Sequence, residues 1–212
     1  MKSRGSLAIC FAFFVFSEVH AGLITPTSVT GTGSWGNSAT YLINGFVPQR
    51  NTYFANAGTN VFWYDTATYF TIDLGALYSV QQLAISVDNN DGYLIQYSTN
   101  GTTFTNLFQF LASDGPVTAL QGGTDTLTTD STYPTNPGNL FTPAYVGRSF
   151  TAVDARYLRF SANGGDGYYG AGEVSAYGVL VPVPAGFILF SSSIILLAGL
   201  SFYRKRTLSI AI

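Results

Sequence analysis

Cysteine and histidine are almost missing: the chain of 212 residues has one of each, Cys10 and His20, both near the N-terminus. Lysine is missing from everything between Lys2 and Lys205. The segment that carries Cys10 and His20 reads as one removed on export, which leaves a domain with neither residue. That excludes a Cys or His nucleophile or base, a Ser-His-Asp triad, and any zinc or iron site that needs thiolate or imidazole ligands. It also excludes disulfides. The domain must then hold itself together by burial, and a globular region of roughly 160 residues is long enough to do so.

Positive charge is equally scarce. Five of the nine basic residues, Lys2, Arg4, Arg204, Lys205 and Arg206, flank two apolar end segments, leaving Arg50, Arg148, Arg156 and Arg159 for the globular part. Ten carboxylates between Asp65 and Glu173 against those four arginines give a net charge of −6. Such a surface repels phosphate backbones, so no nucleic-acid partner is expected. Also lacking, before Ala185, is any apolar pattern with a period of 3.6, and no helix is expected there.

Period-two alternation is plentiful instead. Phe70, Ile72 and Leu74 alternate with Thr71 and Asp73; Val80 leads into Leu83, Ile85 and Val87; Leu94 to Tyr97 follows a polar break. The pattern predicts three strands, with Gly75 ending the first, Asp88-Asn89-Asn90-Asp91-Gly92 turning the second into the third, and Asn100-Gly101 making a hairpin. Strands joined by such tight turns are expected to pair antiparallel.

Taken in order, Met1 to Arg4 is a positively charged start, Leu7 to Phe16 an apolar core, and Val19-His20-Ala21 a small-residue site suited to signal peptidase, so residues 1–21 read as a signal peptide. The Ser-, Thr- and Gly-rich stretch from Gly22 to Gly36 and the run Tyr41 to Phe46 suggest an edge strand and a loop. Val61-Phe62-Trp63-Tyr64 is either core or a binding platform. Phe104, Leu107, Phe108 and Phe110 predict a further strand. Asp114 to Pro143 reads as a long surface excursion with one short strand near Val117 to Leu120. Strands return at Tyr145 to Val153, Arg156 to Ala162 and Glu173 to Val179. Arg156 and Arg159, three apart on a strand, are expected on opposite faces, an inward one paired with a carboxylate.

Val181-Pro182-Val183-Pro184 ends the last strand. Residues 185–203 carry no charge and are long enough to span a membrane, and Arg204, Lys205 and Arg206 follow; the positive-inside rule places the β-domain outside the cytoplasm. This tail, with Val181, Pro182, Pro184 and Ala185 before the apolar span and basic cluster, resembles the PEP-CTERM sorting signal of Gram-negative bacteria. Val183 stands where the name-giving Glu would be, as in the Val-Pro-Leu-Pro-Ala variant. The resemblance implies export, recognition by an exosortase, and display at the cell surface or in the extracellular matrix.

The domain, residues 22–180, is similar to the discoidin or coagulation-factor type C class of galactose-binding-like jelly rolls. Four short pieces carry the similarity: Phe70 to Gly75; Tyr93, Tyr97, Ser98 and Gly101 with Phe104; Ala155 to Phe160; and Glu173-Val174 with Tyr177-Gly178. The implied fold is an all-β jelly-roll sandwich that binds glycans through loops at one end. Several members carry a structural calcium held by an early Asp-Gly loop and a late Glu; the matching positions here are Asn44-Gly45 and Glu173.

Two loops repeat Asp-Gly-Tyr, Asp88 to Tyr93 and Asn163 to Tyr169, and set carboxylates beside aromatic faces. Rings stack on sugars while carboxylates accept from hydroxyls, so Trp63, Asp88, Asp91, Tyr93, Asp166, Tyr168 and Tyr169 are the candidate glycan contacts. Turn chemistry alone also accounts for the Asp, Asn and Gly residues, and a hard-cation site is a third reading, although the first loop lacks calcium-loop spacing. The expected function is a non-catalytic binding module for extracellular polysaccharide. The alternative is a structural matrix protein making protein contacts, and a glycoside hydrolase ranks below both.

Overall fold

The computed structural model describes residues 21–115, 122–131 and 143–182. The signal peptide, the span 185–203, Pro184, Ala185, the basic cluster and the strand expected at 117–120 lie outside the described residues. Eleven strands form: β1 Gly22–Ile24, β2 Ser28–Thr32, β3 Trp35–Gly36, β4 Val61–Trp63, β5 Tyr69–Asp88, β6 Tyr93–Ser98, β7 Thr105–Phe110, β8 Thr124–Thr128, β9 Ala144–Tyr145, β10 Val153–Ala162 and β11 Tyr169–Leu180. Among the described residues the helical content is two 3₁₀ turns, Ala39–Ile43 and Ala112–Asp114. The first replaces the strand expected from Tyr41: the Ser38 side chain accepts from the Thr40 amide and turns the chain before it can extend.

The organising element is β5, one strand of 20 residues where the alternation suggested two. Gly75 bends it rather than ending it. Its φ of +84° is open to glycine, its amide donates to Asp73 Oδ1 at 2.7 Å, and a Cβ there would meet Thr27 Cγ2 at 2.6 Å. Before the bend β5 runs between β2 and β10; beyond it β10 stays paired as far as Val80 with β11 on the other side, and from Ala84 β5 runs between β11 and β8. One strand thereby serves two layers.

The turn at Asp88 to Gly92 is not a hairpin, because β5 and β6 do not pair: β10 lies between them and pairs with both. The chain crosses there from one layer to the other. Asn100-Gly101 does close a hairpin, with Tyr97 opposite Thr105 and Asn100 Oδ1 accepting from the amides of Thr102 and Thr103. In the stretch read as a surface excursion, β8 is buried along its whole length against β5. Its Thr-Asp-Thr-Leu-Thr sequence hid a strand because segment 49–54 covers it with backbone bonds to Gly122 and Thr124.

Phe70, Ile72 and Leu74 face Val61, Trp63, Leu83, Ile85 and Val87 across the sandwich, and Ile95, Phe110, Leu158 and Phe160 complete the core. Trp63 is the centre of it. It is fully buried, with edge contacts to Phe70 at 5.2 Å and Phe160 at 5.8 Å. Ala155 and Leu158 both turn inward, so the strand is irregular between them and neither arginine is internal. Arg156 pairs with Asp73 on the surface, and Arg159 lies over the rings of Phe104 and Tyr69 at 3.7 and 4.3 Å.

Candidate functional site

The two Asp-Gly-Tyr loops meet at one end of the sandwich. Asn163 donates its amide to Gly92 O at 2.7 Å and Gly92 donates back to Gly164 O at 2.8 Å. Side chains extend the seam: the Asp166 amide donates to Asp91 Oδ1 at 3.0 Å, and Asn90 Nδ2 donates to Asp166 Oδ2 at 2.9 Å. Asp166 Oδ1 also accepts from the Tyr168 amide, which turns the Tyr168 ring outward. Residues 76 apart in sequence are thus brought together.

The seam sorts the predicted contacts by depth. Asp88 is 0 % and Asp91 1 % exposed, beneath the loops, so neither carboxylate meets a sugar hydroxyl at the surface. Tyr93 is fully buried, stacked on Phe160 at 5.4 Å, with its hydroxyl donating to Gly170 O. Tyr169 is buried against Trp63. Trp63, Tyr93 and Tyr169 are therefore core residues, because each occupies an inward position on β4, β6 or β11. Asp166 and Tyr168 remain at the surface, Tyr168 at 55 % exposure.

Two tyrosines missing from the sequence-based set stand beside Tyr168. Tyr64 packs edge-on to it at 5.6 Å, and both Tyr64 and Tyr53 are exposed. Phe54 and Phe62 lie beneath: Phe54 contacts Tyr168 at 6.0 Å and Tyr53 at 4.7 Å, and Phe62 contacts Tyr64 at 5.6 Å. The signal was present in the alternation Val61-Phe62-Trp63-Tyr64, where Val61 and Trp63 point in and Phe62 and Tyr64 must point out. Tyr53 had no such signal, since it sits in an irregular segment placed by an isolated bridge to Gly123.

Charge at this end is negative. Burial, and then the neighbouring Asp91, push Asp88 up to about 7; burial likewise pushes Asp91 up to about 7 against the hydrogen bond from Asp166. Exposed Asp65 behaves oppositely, held low by backbone bonds from Thr68 and Ala67. No arginine balances the ring face. Arg50 pairs with Asp125, Arg148 with Asp114 and Arg156 with Asp73, while Arg159 is sandwiched between rings.

Asn44-Gly45 and Glu173 do come together, but as a protein contact. Gly45 N donates to Glu173 Oε2 at 3.0 Å, Ser175 Oγ donates to Oε1 at 3.1 Å, and Asn44 Oδ1 accepts from the Phe46 amide. Both oxygens of the one carboxylate here accept from N–H and O–H donors of the chain, so neither is open to a cation in this arrangement. Among the described residues no group of three or more His, Cys, Asp and Glu side chains forms a metal centre.

No family model and no curated protein matches the chain. Solved structures do. A truncated AlyQ with CBM32 and alginate lyase domains aligns with a TM-score of 0.50 at 19 % identity over 77 % of this chain and 35 % of its own. A fucolectin from striped bass (Morone saxatilis) serum aligns with a TM-score of 0.50 at 15 % identity over 77 % of this chain and 51 % of its own. The chain thus spans about a third and about half of those two proteins. At these identities the likeness shows the fold alone, an all-β jelly-roll sandwich.

Proposed function

We propose that this domain is a non-catalytic carbohydrate-binding module whose contact face is Tyr53, Tyr64 and Tyr168, with Asp166 at its edge. The observation that carries the reading is the contiguous patch of exposed rings standing on Phe54 and Phe62 at the loop end. Exposed tyrosines on a packed aromatic base offer flat apolar faces at small entropic cost, which suits the C–H faces of a sugar ring. Two proteins sharing the fold, one with a CBM32 domain and one a fucolectin, carry sugar recognition in their names, which supports the reading.

Binding is favoured over hydrolysis because the exposed carboxylates near the patch are already engaged. Asp65 caps two amides and Asp166 accepts from Tyr168 and Asn90, while the two carboxylates with raised pKa are buried. Neither surface group is free to act as a general acid. The preferred ligand is a neutral polysaccharide. All four arginines of the domain are engaged elsewhere, and an acidic face without a free cation repels uronates.

The export reading goes with it. Residues 1–21 direct secretion, and the tail 181–212 is read by an exosortase, its span 185–203 anchoring the module in the membrane transiently or permanently. N-terminal sequencing of exported protein should begin at Gly22. A glycan array with the full-length chain in detergent should give hits among neutral glycans that weaken in Tyr64→Ala and Tyr168→Ala. An array with no hits would end the carbohydrate reading and leave the matrix-protein alternative.

A further inference from the structure

Beside the loop seam lies a buried group of oxygens that no side chain pairs. Asp88 is completely buried, and neither of its carboxylate oxygens has a hydrogen-bond partner. The backbone amides of Asn90 and Asn89 are turned toward it and favour its ionised form, outweighed by burial and the neighbouring Asp91. Asp91, also buried, spends Oδ1 on the Asp166 amide and leaves Oδ2 unpartnered. Asn90 spends Nδ2 on Asp166 and leaves Oδ1 buried and unpartnered. Four acceptor atoms are thus open within one turn of chain.

Such an arrangement is costly as it stands. A buried carboxylate without a donor loses its hydration and gains nothing in return, and here two of them act on each other through space. The protein supplies no counter-charge: each arginine is committed to another carboxylate or to rings. While both carboxylates are ionised, their counter-charge must come from outside the chain. Asn89 Nδ2 is the unpartnered donor of this loop, and a half-turn of its amide would present an oxygen instead.

We propose that Asp88, Asp91 and Asn90 form a site for a hard divalent cation of the calcium class. The open acceptor atoms are oxygens, two residues bring negative charge, and irregular loop ligands suit the variable coordination of calcium better than the strict octahedron of magnesium. The site is distinct from the Asn44 and Glu173 corner, whose oxygens are already engaged. Its consequence is mechanical. Asp91 and Asn90 both bond to Asp166, so a cation beneath them fixes the loop that displays Tyr168. The inference does not require that the ring face bind sugar.

The test uses the full-length chain in detergent, stripped with chelator, then titrated with calcium or with terbium as a luminescent substitute. Millimolar calcium should raise the unfolding midpoint by roughly 3 °C or more. Terbium should luminesce by transfer from buried Tyr93, and calcium should compete it away. Asp88→Asn and Asp91→Asn should abolish both responses while melting no lower than stripped wild type, since each removes a buried charge. Glu173→Gln should keep both. A wild-type protein that responds to neither ion, or a response that survives in both Asp variants or is lost in Glu173→Gln alone, overturns the proposal. Sugar binding is read separately on the array, so the two readings fail independently.

Discussion

Tyr64 and Tyr168 stand edge to face, ring centroids 5.6 Å apart and planes at 85°, although 104 residues of chain separate them. One comes from the end of β4 and the other from the β10–β11 loop, so a sugar touching both reads the junction of two elements. Truncating either ring removes a central anchor of the patch, and losses above about 1 kcal/mol are usual for such residues. Tyr64→Ala and Tyr168→Ala should each weaken glycan binding roughly ten-fold or more with little change in melting temperature. Tyr168→Phe should bind nearly as wild type if the ring face is what matters. Isothermal titration against an array hit measures this.

Trp63 should behave in the opposite way. It fills the centre of the core with four aromatic neighbours, Phe70, Tyr93, Phe160 and Tyr169, and no exposure. Trp63→Ala should cost about 3–5 kcal/mol, and Trp63→Phe clearly less. Any loss of glycan binding in either variant should track the loss of folded protein, as shown by near-UV circular dichroism alongside binding. A well-folded Trp63→Phe that no longer binds would return Trp63 to the contact face.

Much of this was legible in the sequence, and the failures have physical causes. Alternation located β5 and β6, and short β-prone runs located β7, β10 and β11, although β11 is buried on both faces over most of its length. Gly75 was misread because a glycine with positive φ both ends strands and bends them, and only the partners on either side decide. The Thr-rich β8 was invisible, since burial by a loop of its own chain leaves no apolar signature. At the site, the repeated Asp-Gly-Tyr marked both loops but not that they meet. Depth was what the motif lacked: Asp91 and Asp166 sit in equivalent motif positions, yet one is buried and the other exposed. Tyr168 and Tyr169 are neighbours that point to opposite sides, and only strand register tells them apart.

Glu173 gives a pH dependence of definite sign. Burial pushes it up to about 7 from 4.5 despite bonds from Ser175 and Gly45. The folded state therefore binds the proton more tightly than the unfolded state, and the stability from this group is full below pH 4.5 and lost as pH rises through about 7. The span corresponds to at most about 3 kcal/mol. Glu173→Gln keeps an acceptor for the Gly45 amide but cannot ionise. The stability difference between wild type and variant, from denaturant melts at pH 4.5 to 8, should shift in favour of the variant as pH rises. A pH-independent difference would mean that Glu173 is ionised throughout.

Gly165 offers a sharper probe of the loop seam, because its neighbour Gly164 supplies the control. Both have positive φ, +103° for Gly164 and +144° for Gly165, so alanine strains either backbone. Around Gly164 a Cβ meets nothing within 4 Å, whereas at Gly165 it would fall 1.7 Å from Asp91 Oδ1. Gly164→Ala should thus cost only the backbone strain, about 1–2 kcal/mol. Gly165→Ala must also displace a buried carboxylate that holds the Asp166 amide, and should cost at least twice as much. Because Asp166 in turn sets Tyr168, Gly165→Ala should weaken sugar binding in protein that is still folded, while Gly164→Ala should leave it nearly intact. Equal effects of the two substitutions on stability and binding would show that Asp91 moves freely and that the seam does not position Tyr168.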